Sequence, residues 1–558
     1  MKIRCTCLGV LQYSSAIQIS CIAFSLWMLM SSPSNAAQYY TNWAAAHFSS
    51  DPAQGDPLAD PDGDGETNVV EFAFGTDPLA PGGIAGAVQP LSGGVSGTNA
   101  VFQVEILERE GHQPGVQIDL YLSADLAHWF RPWWLRTTTN SLPTDPAGSV
   151  RELFTTRLPG TNVWFVRPQV QLFEGGVENA KYYVTTNGSD SGTNGPFATL
   201  AYAVGLANPG DLIYVRGGTY HWTSKISVSR SGNPTNYIRV QAYPGESPVL
   251  DFSGQTLGTR GFEISGNWWQ FYRLEIFDAG DNGMYISGKS NVVERFVIHG
   301  CRDSGIQLDG GGAYNLILNC DSYHNYDTNN RGENADGFAA KFTVGPGNVF
   351  RGCRSWENSD DGWDLWQATN TVVIENCWTW SNGIDFWPDG TTFNGDGNGF
   401  KLGGNNYPGA HRLSRGITFG NPHAGVDQNN NTLGQTVDNV TAWANAGANF
   451  NLRHGANTTP HLVRNNVSIA GGSSDIFTTG TLATNNSWQI LSPAARVADV
   501  LSTDTVFALA QRRDDGGLPE TPFMRPVPTG RLVDVGADLG DPIAGPAPDI
   551  GAYEAPAW

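Results

Sequence analysis

A short phrase of one glycine followed by an apolar, a variable and an apolar residue recurs along the second half of the chain. The steps between copies are mostly 22 to 26 residues, and two longer steps of 32 and 37 residues imply loops. The copies begin at Gly261, Gly283, Gly305, Gly337, Gly362, Gly399 and Gly425, with a looser copy at Asn449. Alternation of this kind is typical of a strand with one buried face. Its repetition at a nearly fixed period predicts a stack of repeats.

A second phrase runs in step with the first and ends in asparagine. Five successive copies place Asn five residues after a small or sulfur-bearing residue. They are Cys320 to Asn325, Cys353 to Asn358, Cys377 to Asn382, Gly416 to Asn421 and Val440 to Asn445. Stacked Asn side chains bond amide to amide along a pile of strands. We therefore expect a buried Asn column, and we expect Cys301, Cys320, Cys353 and Cys377 to be stacked thiols rather than disulfides.

Two short strands per repeat, with little helix between them, predict an all-β solenoid. Strand side chains alternate, so the residue between the two apolar positions faces outward. The outward column reads Glu263, Tyr285, Gln307, Ala339, Asp364, Lys401, Asp427 and Asn451. The position before the glycine reads Arg260, Asn282, Ser304, Asp336, Asp361, Asn398 and Ala424. This register brings four carboxylates onto two adjacent coils, with an amine one coil along.

The four carboxylates belong to Asp336, Asp360, Asp361 and Asp364, and the amine to Lys401. Carboxylates this close repel one another unless a cation holds them. Ligands that are all oxygen suit Ca²⁺ better than zinc or copper. The sequence therefore predicts a calcium site beside Lys401. The alternative is a solvated acidic turn in which Lys401 only pairs with Asp364.

A second calcium site is predicted upstream, where residues 60–71 read DPDGDGETNVVE. The stretch satisfies the spacing of an EF-hand or dockerin-type loop, in which alternate side chains and one backbone carbonyl surround the ion. The expected ligands are Asp60, Asp62, Asp64, the carbonyl of Glu66, Asn68 and Glu71. Gly65 allows the sharp turn. An acidic turn without metal is the alternative.

The chain divides into four expected segments. Residues 1–36 resemble an export signal, with Lys2 and Arg4 before an apolar stretch at Cys21–Met30 that is too short to span a bilayer. A membrane anchor is the alternative. Residues 37–82 form the calcium-loop segment, 83–178 a small accessory β domain, and 179–558 the solenoid. A helical pattern at Phe197–Leu206 is expected to cap the open end of the strand stack.

Composition narrows the class of partner. The 558 residues carry a formal net charge of −21, which disfavours nucleic acid as a partner. We expect a secreted protein, not bound to a membrane after signal removal, and a monomer. If the substrate is also an anion, a cation must bridge the two.

The stretches NADGF (334–338), NSDDGWD (358–364) and GNGFKLGG (397–404) resemble the signature stretches of polysaccharide lyase family 9 pectate lyases. The resemblance covers roughly residues 180 to 555. It implies a right-handed parallel β-helix, a calcium held by Asp336, Asp360, Asp361 and Asp364, and Lys401 as catalytic base. The substrate would be pectate, the acidic polygalacturonate of plant cell walls.

In the implied reaction, calcium-assisted β-elimination gives 4,5-unsaturated products. Calcium bound to the substrate carboxylate would neutralise its charge, and the amine would remove the neighbouring C5 proton. Weaker candidates for binding substrate carboxylates are Arg331, Lys341, His411 and Arg412. Alternatives are a lyase for rhamnogalacturonan or alginate, a β-helix polygalacturonase-type hydrolase, and a non-catalytic polysaccharide-binding protein of the cell surface.

Overall fold

The structure is a computed structural model that describes residues 180–555 except 388–389, 391, 454–458, 514–515 and 541–544. Upstream, it describes parts of residues 44–80 and ten strands between residues 2 and 172. The chain folds into two compact units. The larger unit comprises residues 180–242, 247–503 and 513–558, and the smaller comprises 1–179, 243–246 and 504–512.

The larger unit consists of three long sheets whose strands are all parallel. Sheet 1 contains Tyr182–Val184, Leu212–Val215, Ile238–Ala242, Trp269–Tyr272, Val292–Glu294, Leu316–Leu318, Asn348–Arg351, Val372–Glu375, Arg412–Ser414, Thr436–Asp438, Leu462–Arg464 and Leu482–Thr484. Sheet 2 contains Gly218–His221, Pro248–Asp251, Glu275–Phe277, Val297–His299, Asp321–Tyr323, Arg354–Trp356, Trp378–Trp380, Ile417–Phe419, Thr441–Trp443 and Val467–Ile469. Sheet 3 contains Ile226–Val228, Phe262–Ile264, Met284–Ile286, Ile306–Leu308, Phe338–Ala340, Trp363–Asp364, Phe400–Lys401, Val426–Asp427, Phe450–Leu452 and Ile476–Phe477. From Leu212 onward, each coil contributes one strand to each sheet in turn, so the predicted solenoid is confirmed. Each coil has three strands rather than the two that the sequence predicted, because the strands of sheet 1 lie outside both repeated phrases.

Sheet 3 is built from the glycine phrase, and its register is the predicted one. The eight residues of the outward column are paired across adjacent strands in succession, from Glu263 with Tyr285 to Asp427 with Asn451. The residues on either side of this column face the interior. Phe338, Trp363 and Phe400 stack there, with ring centroids 4.7 and 5.0 Å apart, and none is exposed. This packed row fixes the strands that carry the outward residues Asp364 and Lys401.

The predicted Asn column is present inside the turn that follows sheet 2. Each Asn amide donates to the Oδ1 atom of the next, with distances of 2.7, 2.9, 3.1 and 2.9 Å from Asn325 through Asn358, Asn382 and Asn421 to Asn445. A further bond of 2.9 Å, not predicted, joins Asn445 to Asn449. Because buried amides must be satisfied, the column holds successive coils in one register.

The four cysteines of the solenoid are buried free thiols, as predicted, but they do not form a single stack. Cys320, Cys353 and Cys377 precede equivalent strands of sheet 2 and are neighbours in one column. Cys301 follows its strand by two residues, and its backbone N–H donates to Asn325 Oδ1 at 3.0 Å. It therefore heads the Asn column, and the expectation of four equivalent thiols is wrong for Cys301.

Replacing Asn382 by Ala should destabilise the solenoid by about 3 kcal/mol, because a buried polar group left without its partner costs about 1–3 kcal/mol. Asn382 Oδ1 accepts from the Asn358 backbone and side chain at 3.2 and 2.9 Å, and its amide also donates to Thr379. Urea unfolding followed by tryptophan fluorescence measures the loss. Asn194→Ala, at an exposed position, is the matched control. Equal unfolding curves for the two variants would contradict the role given to the column.

Helices and irregular segments follow or precede the strands at both ends of the described solenoid. The helix Leu200–Leu206 lies within the predicted Phe197–Leu206, and Thr199 caps it by accepting from the Tyr202 N–H. Its buried residues belong to the same core as the first strands, which fits the predicted cap. Short helices also occur at Ser487–Ile490 and Val497–Asp499. Near the C-terminus, Phe523 and Tyr553 pack on Trp378, so this segment covers the outer face of sheet 2.

The smaller unit contains two antiparallel five-stranded sheets and the predicted calcium loop. Its strands are Lys2–Arg4, Cys7–Leu11, Gln18–Cys21, Val88–Leu91, Val95–Ser96, Asn99–Arg109, Val116–Ser123, Leu135–Thr139, Ser149–Pro159 and Trp164–Leu172. Its helices are Pro52–Gly55, Asn68–Phe74 and Thr505–Leu509. Most of the apolar stretch and cleavage pattern of the predicted export signal lies outside the described residues. No helix among the described residues combines the length and apolar character required to cross a membrane.

Candidate active site

The predicted acidic cluster lies where chain segments pass from sheet 2 to sheet 3. Asp336 precedes the strand Phe338–Ala340, and Asp360 and Asp361 precede the next strand, Trp363–Asp364. Asp364 is the outward residue of that strand and is paired in register with Lys401. The regular coil geometry therefore brings together residues that are up to 65 positions apart in the sequence.

Three of the four predicted ligands converge on one point. Asp336, Asp360 and Asp361 each offer a carboxylate oxygen, and these oxygens all lie within 4.8 Å of one another. Their exposed fractions are 0%, 3% and 0%. Asp364 lies outside this group of three, although it is equally buried and its Oδ1 has no hydrogen-bond partner.

Lys401 points into this cluster. Its Nζ lies 2.8 Å from Asp361 Oδ2 and 3.7 Å from Asp364 Oδ2. The side chain of Lys401 is only 6% exposed. The third carboxylate near Nζ, at 3.1 Å, belongs to Asp396, which the sequence pattern did not identify. The amine therefore faces the carboxylates from the neighbouring coil, as the register predicted.

Lys341 is a second buried amine in the cluster. Its Nζ lies 2.8 Å from Asp336 Oδ2 and 3.0 Å from Asp364 Oδ2. We expected this residue to bind a substrate carboxylate, but the structure places its charge between two aspartates of the protein. Lys341 therefore compensates part of the negative charge of the cluster. Asp364 forms an ion pair with Lys341 and does not belong to the converging group of the other three aspartates.

The pKa values of the cluster reflect its burial. Burial raises the pKa of Asp336 to about 7 and that of Asp360 to about 7, while Lys341 and Lys401 oppose the shift. Burial also raises the pKa of Asp361 well above its ordinary value. For Lys401, burial acts downward, but Asp361 and the other carboxylates outweigh it, so its pKa lies well above the ordinary range. Without further positive charge, the cluster favours protonated aspartates and a protonated amine.

These residues fit a divalent cation. When all groups are ionised, the five carboxylates, Asp396 included, outnumber the two ammonium groups by three charges. Asp361 Oδ2 accepts no well-directed hydrogen bond, and Asp364 Oδ1 accepts none. Oxygen donors in an acidic set are the ligands that Ca²⁺ prefers. Asp336, Asp360 and Asp361 would hold such an ion, and Asp364 would need to turn away from Lys341 to join them.

Other residues orient the carboxylates, and the sequence pattern did not assign them a role. Asn398 donates to Asp361 Oδ1 from its backbone at 2.6 Å and from its amide at 2.9 Å. The Ser304 hydroxyl donates to Asp336 Oδ2 at 2.9 Å. Ser304 and Asn398 both occupy the position before the glycine of their repeats. The register therefore predicted where they lie, but not that they bind the carboxylates. The ring of Trp366 lies 5.5 Å from Lys401 Nζ.

Asp360 joins the two loops beside the cluster. Its Oδ2 accepts from the Asn334 backbone at 2.9 Å, and its Oδ1 accepts from the Asp396 backbone at 2.7 Å. The two loops also meet directly, because the Asn394 N–H donates to the Arg331 carbonyl at 2.9 Å. One carboxylate thus fixes the loop that ends at Asn334 and the loop that carries Asp396.

The remaining weak candidates lie elsewhere. Arg331 is exposed on the first of these loops. Arg412 begins a strand of sheet 1, a different sheet from the one that carries Asp364 and Lys401. His411 is 1% exposed, and its Nδ1 accepts from the Val372 backbone at 3.2 Å. Burial lowers the pKa of His411 to about 4, so it is neutral at ordinary pH. The prediction that His411 binds a carboxylate is wrong, because it is an uncharged residue of the interior.

The second predicted site, at residues 60–71, forms a compact acidic turn. Asp60, Asp62 and Asp64 each offer an oxygen within 4.8 Å of the others. Gly65 has φ +98°, in the region that glycine enters without strain, as its place in the turn predicted. Burial raises the pKa of Glu66 to about 7 and that of Glu71 to about 8, and the three aspartates add to the shift at Glu71.

Comparison with known families agrees with this fold. Residues 182–466 match the family described as "Pel9A-like, right handed beta helix region". Pectate lyase L of Dickeya chrysanthemi is 40% identical over 390 residues, which are 67% of this chain and 90% of that protein. Pectate lyase PEL9 of Emericella nidulans is 32% identical over 387 residues, 62% of this chain and 92% of the relative.

Solved structures give the same result. The crystal structure of pectate lyase Pel9A superposes with a TM-score of 0.63 at 39% identity, covering 68% of this chain and 97% of Pel9A. A rhamnogalacturonan lyase superposes with a TM-score of 0.55 at 26% identity, covering 62% of this chain. The fold is therefore the predicted right-handed parallel β-helix, and the protein is a β-helix polysaccharide lyase. More narrowly, the chain belongs to the Pel9A-like family, polysaccharide lyase family 9.

Proposed function

We propose that the chain is an exported pectate lyase that cleaves polygalacturonate by calcium-assisted β-elimination, with Lys401 as the base. The observation that carries this proposal is the position of Lys401 Nζ, 2.8 Å from Asp361 in a group of three buried, converging carboxylates. The names of the similar proteins support pectate as the substrate. Export is supported by the sequence of residues 1–36.

The cation that we place at Asp336, Asp360 and Asp361 is Ca²⁺. When bound, it supplies the positive charge that a polyanion needs near an acidic protein, and it stabilises negative charge that develops on the substrate carboxylate. Two of the three carboxylates are already oriented to hold the ion, because Asn398 donates to Asp361 and Ser304 donates to Asp336.

Lys401 performs the proton transfer. Its neutral Nζ takes the C5 proton of a galacturonate unit, and the C5–H electron pair becomes the second bond between C4 and C5. The C4–O bond then breaks, and the departing oxygen takes a proton from water. The contacts to Asp361 and Asp396 hold Nζ on the cluster side of the coil. Once the carboxylates share their charge with a cation, they no longer favour the protonated amine, so the base can become neutral.

The proposal is tested with purified full-length protein on polygalacturonate, with and without a calcium chelator. We expect products that absorb in the ultraviolet because of the new C4–C5 double bond, and we expect the chelator to abolish their formation until calcium is restored. New reducing ends without this absorbance would mean hydrolysis, and no cleavage would support a binding protein. Activity that persists without divalent ions would overturn the role of calcium.

Rhamnogalacturonan is a second candidate substrate, because a rhamnogalacturonan lyase has a similar fold at 26% identity. The same absorbance assay on rhamnogalacturonan distinguishes the two. We expect polygalacturonate to be cleaved at the higher rate. A higher rate on rhamnogalacturonan would identify that polymer as the substrate, and the proposed β-elimination would still apply.

A further inference from the structure

We propose that residues 60–71 bind a second Ca²⁺, separate from the catalytic cluster, and that this ion stabilises the fold of the smaller unit. The loop belongs to the smaller unit, whereas the catalytic cluster belongs to the larger one. The inference is independent of the proposed reaction, because it concerns a different set of residues and a different property of the protein.

The backbone of the loop is already arranged around its acidic side chains. Asp60 accepts from the Gly63 N–H at 2.9 Å and from the Gly65 N–H at 3.0 Å. Asp62 accepts from the Asp64 N–H at 3.2 Å, and Asp64 accepts from the Glu66 N–H at 2.9 Å. Each carboxylate is thereby held in a tight turn by one of its oxygens or by both. These bonds alone describe an acidic turn and do not require an ion.

The observation that points to a ligand is Glu71. Its exposed fraction is 1%, and neither carboxylate oxygen has a hydrogen-bond partner. Glu71 lies on the helix Asn68–Phe74 directly after the turn, and it interacts electrostatically with Asp60, Asp62 and Asp64. A carboxylate buried without any partner is costly unless a cation compensates it. In loops of this spacing, the residue at this position supplies two oxygens to Ca²⁺.

Further unpartnered oxygens occur in the same loop. Asp62 Oδ2 and Glu66 Oε2 are buried and accept no hydrogen bond. Asp62 can therefore turn an unused oxygen to the ion. Glu66 is expected to contribute its backbone carbonyl, as the loop pattern predicts, so its unpartnered side chain is not assigned a ligand role.

Asn68 keeps its expected ligand atom available, because its Oδ1 is buried without a hydrogen-bond partner. Its side-chain amide donates to the carbonyls of Gln54 and Asp56 at 2.6 and 2.8 Å, and its exposed fraction is 0%. Asn68 therefore ties the start of the helix to the preceding segment. In the same helix, Val70 and Phe72 are 1% and 2% exposed. An ion that fixes the loop would fix this buried helix as well, which gives the ion a structural effect.

The number of bound calcium ions tests the inference. Equilibrium dialysis of the full-length protein with radioactive calcium should show one ion fewer for Glu71→Gln than for the wild type. Asp77→Asn is the matched control, because it removes one charge from an exposed acidic residue beyond the helix, and it should bind as many ions as the wild type. Asp361→Asn should lose the other ion, so failure at the catalytic cluster is distinguishable from failure at the loop.

Thermal unfolding gives the second readout. Calcium at 100 times its dissociation constant multiplies the folded-to-unfolded ratio about 100-fold. The unfolding transition of the smaller unit should therefore move to higher temperature with calcium in the wild type and Asp77→Asn, but not in Glu71→Gln. Magnesium at the same concentration should have a smaller effect, because this loop pattern suits the larger ion.

Glu71 is buried, so Glu71→Gln could lose calcium simply by failing to fold. A second variant therefore changes only residues that are not buried. Asp62→Asn/Asp64→Asn changes only partly exposed residues and should lose the same ion. If the double variant binds as many calcium ions as the wild type, and calcium stabilises both equally, the loop is an acidic turn without metal and the inference is wrong.

Discussion

Lys401→Arg should lower kcat on polygalacturonate about 10³-fold, within the range of about 10²–10⁴ that a general base contributes. Arginine preserves the positive charge opposite Asp361, but its guanidinium stays protonated at any accessible pH. The substitution therefore keeps an ion pair and removes a base. Lys289→Ala, at an exposed lysine of the solenoid, is the control and should retain wild-type activity.

The pH dependence of the wild type belongs to the same prediction. Only the neutral amine can accept a proton, and a lysine amine with the ordinary pKa of about 10.4 is almost entirely protonated at neutral pH, even where a cation offsets the surrounding carboxylates. The neutral fraction grows tenfold with each pH unit below the pKa, so kcat/KM should rise into the alkaline range. In Lys401→Arg this rise should be absent. A wild-type optimum on the acid side of neutrality, or an arginine variant that keeps the wild-type rate, would contradict Lys401 as the base.

Asp361→Asn should abolish most of the activity at ordinary calcium concentrations and raise the half-saturating calcium concentration about 100-fold. Asp361 is unexposed, and its Oδ2 faces Lys401 without a well-directed hydrogen bond. Losing one partner of a buried charged pair costs about 3 kcal/mol. Every 1.4 kcal/mol corresponds to about tenfold in affinity. The new amide would also direct N–H groups at the Lys401 ammonium or at the ion, and neither of these can accept a hydrogen bond.

Calcium titration of the initial rate measures this effect, with Asp385→Asn as control. Asp385 is an exposed acidic residue in the loop that also carries Asp396, and Asn can retain the bond from the Trp387 N–H to its Oδ1 atom. The control should titrate like the wild type. Circular dichroism shows whether Asp361→Asn keeps the β-helix. A folded Asp361→Asn protein with unchanged calcium dependence would remove Asp361 from the proposed metal site.

The parts of the site that the sequence predicted are those that the coil repeat determines. In a solenoid, spacing along the chain translates into neighbours in space, so counting from each glycine was sufficient to align Asp364 with Lys401. The Asn column follows from the same counting. Asp336 and Asp361 were placed together for this reason, and the structure has them in hydrogen-bond contact through the Asp361 N–H, at 3.2 Å.

The parts that were not predicted depend on irregular backbone or on side-chain direction. Asp396 reaches Lys401 from a loop whose path has no repeat to define it. Lys341 lies one position beyond the strand Phe338–Ala340, and its turn towards Asp336 and Asp364 depends on packing. Spacing alone also gave no means of distinguishing an exposed histidine from a buried one, which led to the wrong role for His411.

The turns between sheets 1 and 2 were also beyond the sequence pattern. A single residue there has positive φ in coil after coil, but the residue type varies. Examples are Arg273, Arg295, Asn319, Gly352, Asn376 and Arg415, with φ between +52° and +65°. This conformation costs most residues roughly 1–2 kcal/mol, so only the glycine and asparagine examples carry a recognisable signal.

The Asp360 carboxylate has a consequence for how the protein accommodates polymers of different shape. Its two oxygens support the backbones of both neighbouring loops, at Asn334 and at Asp396. Both loops beside the acidic cluster are therefore held by one of the cluster's own carboxylates. Remodelling either loop to fit another glycan would disturb the proposed metal site, whereas lengthening the solenoid at its ends would leave that site unchanged.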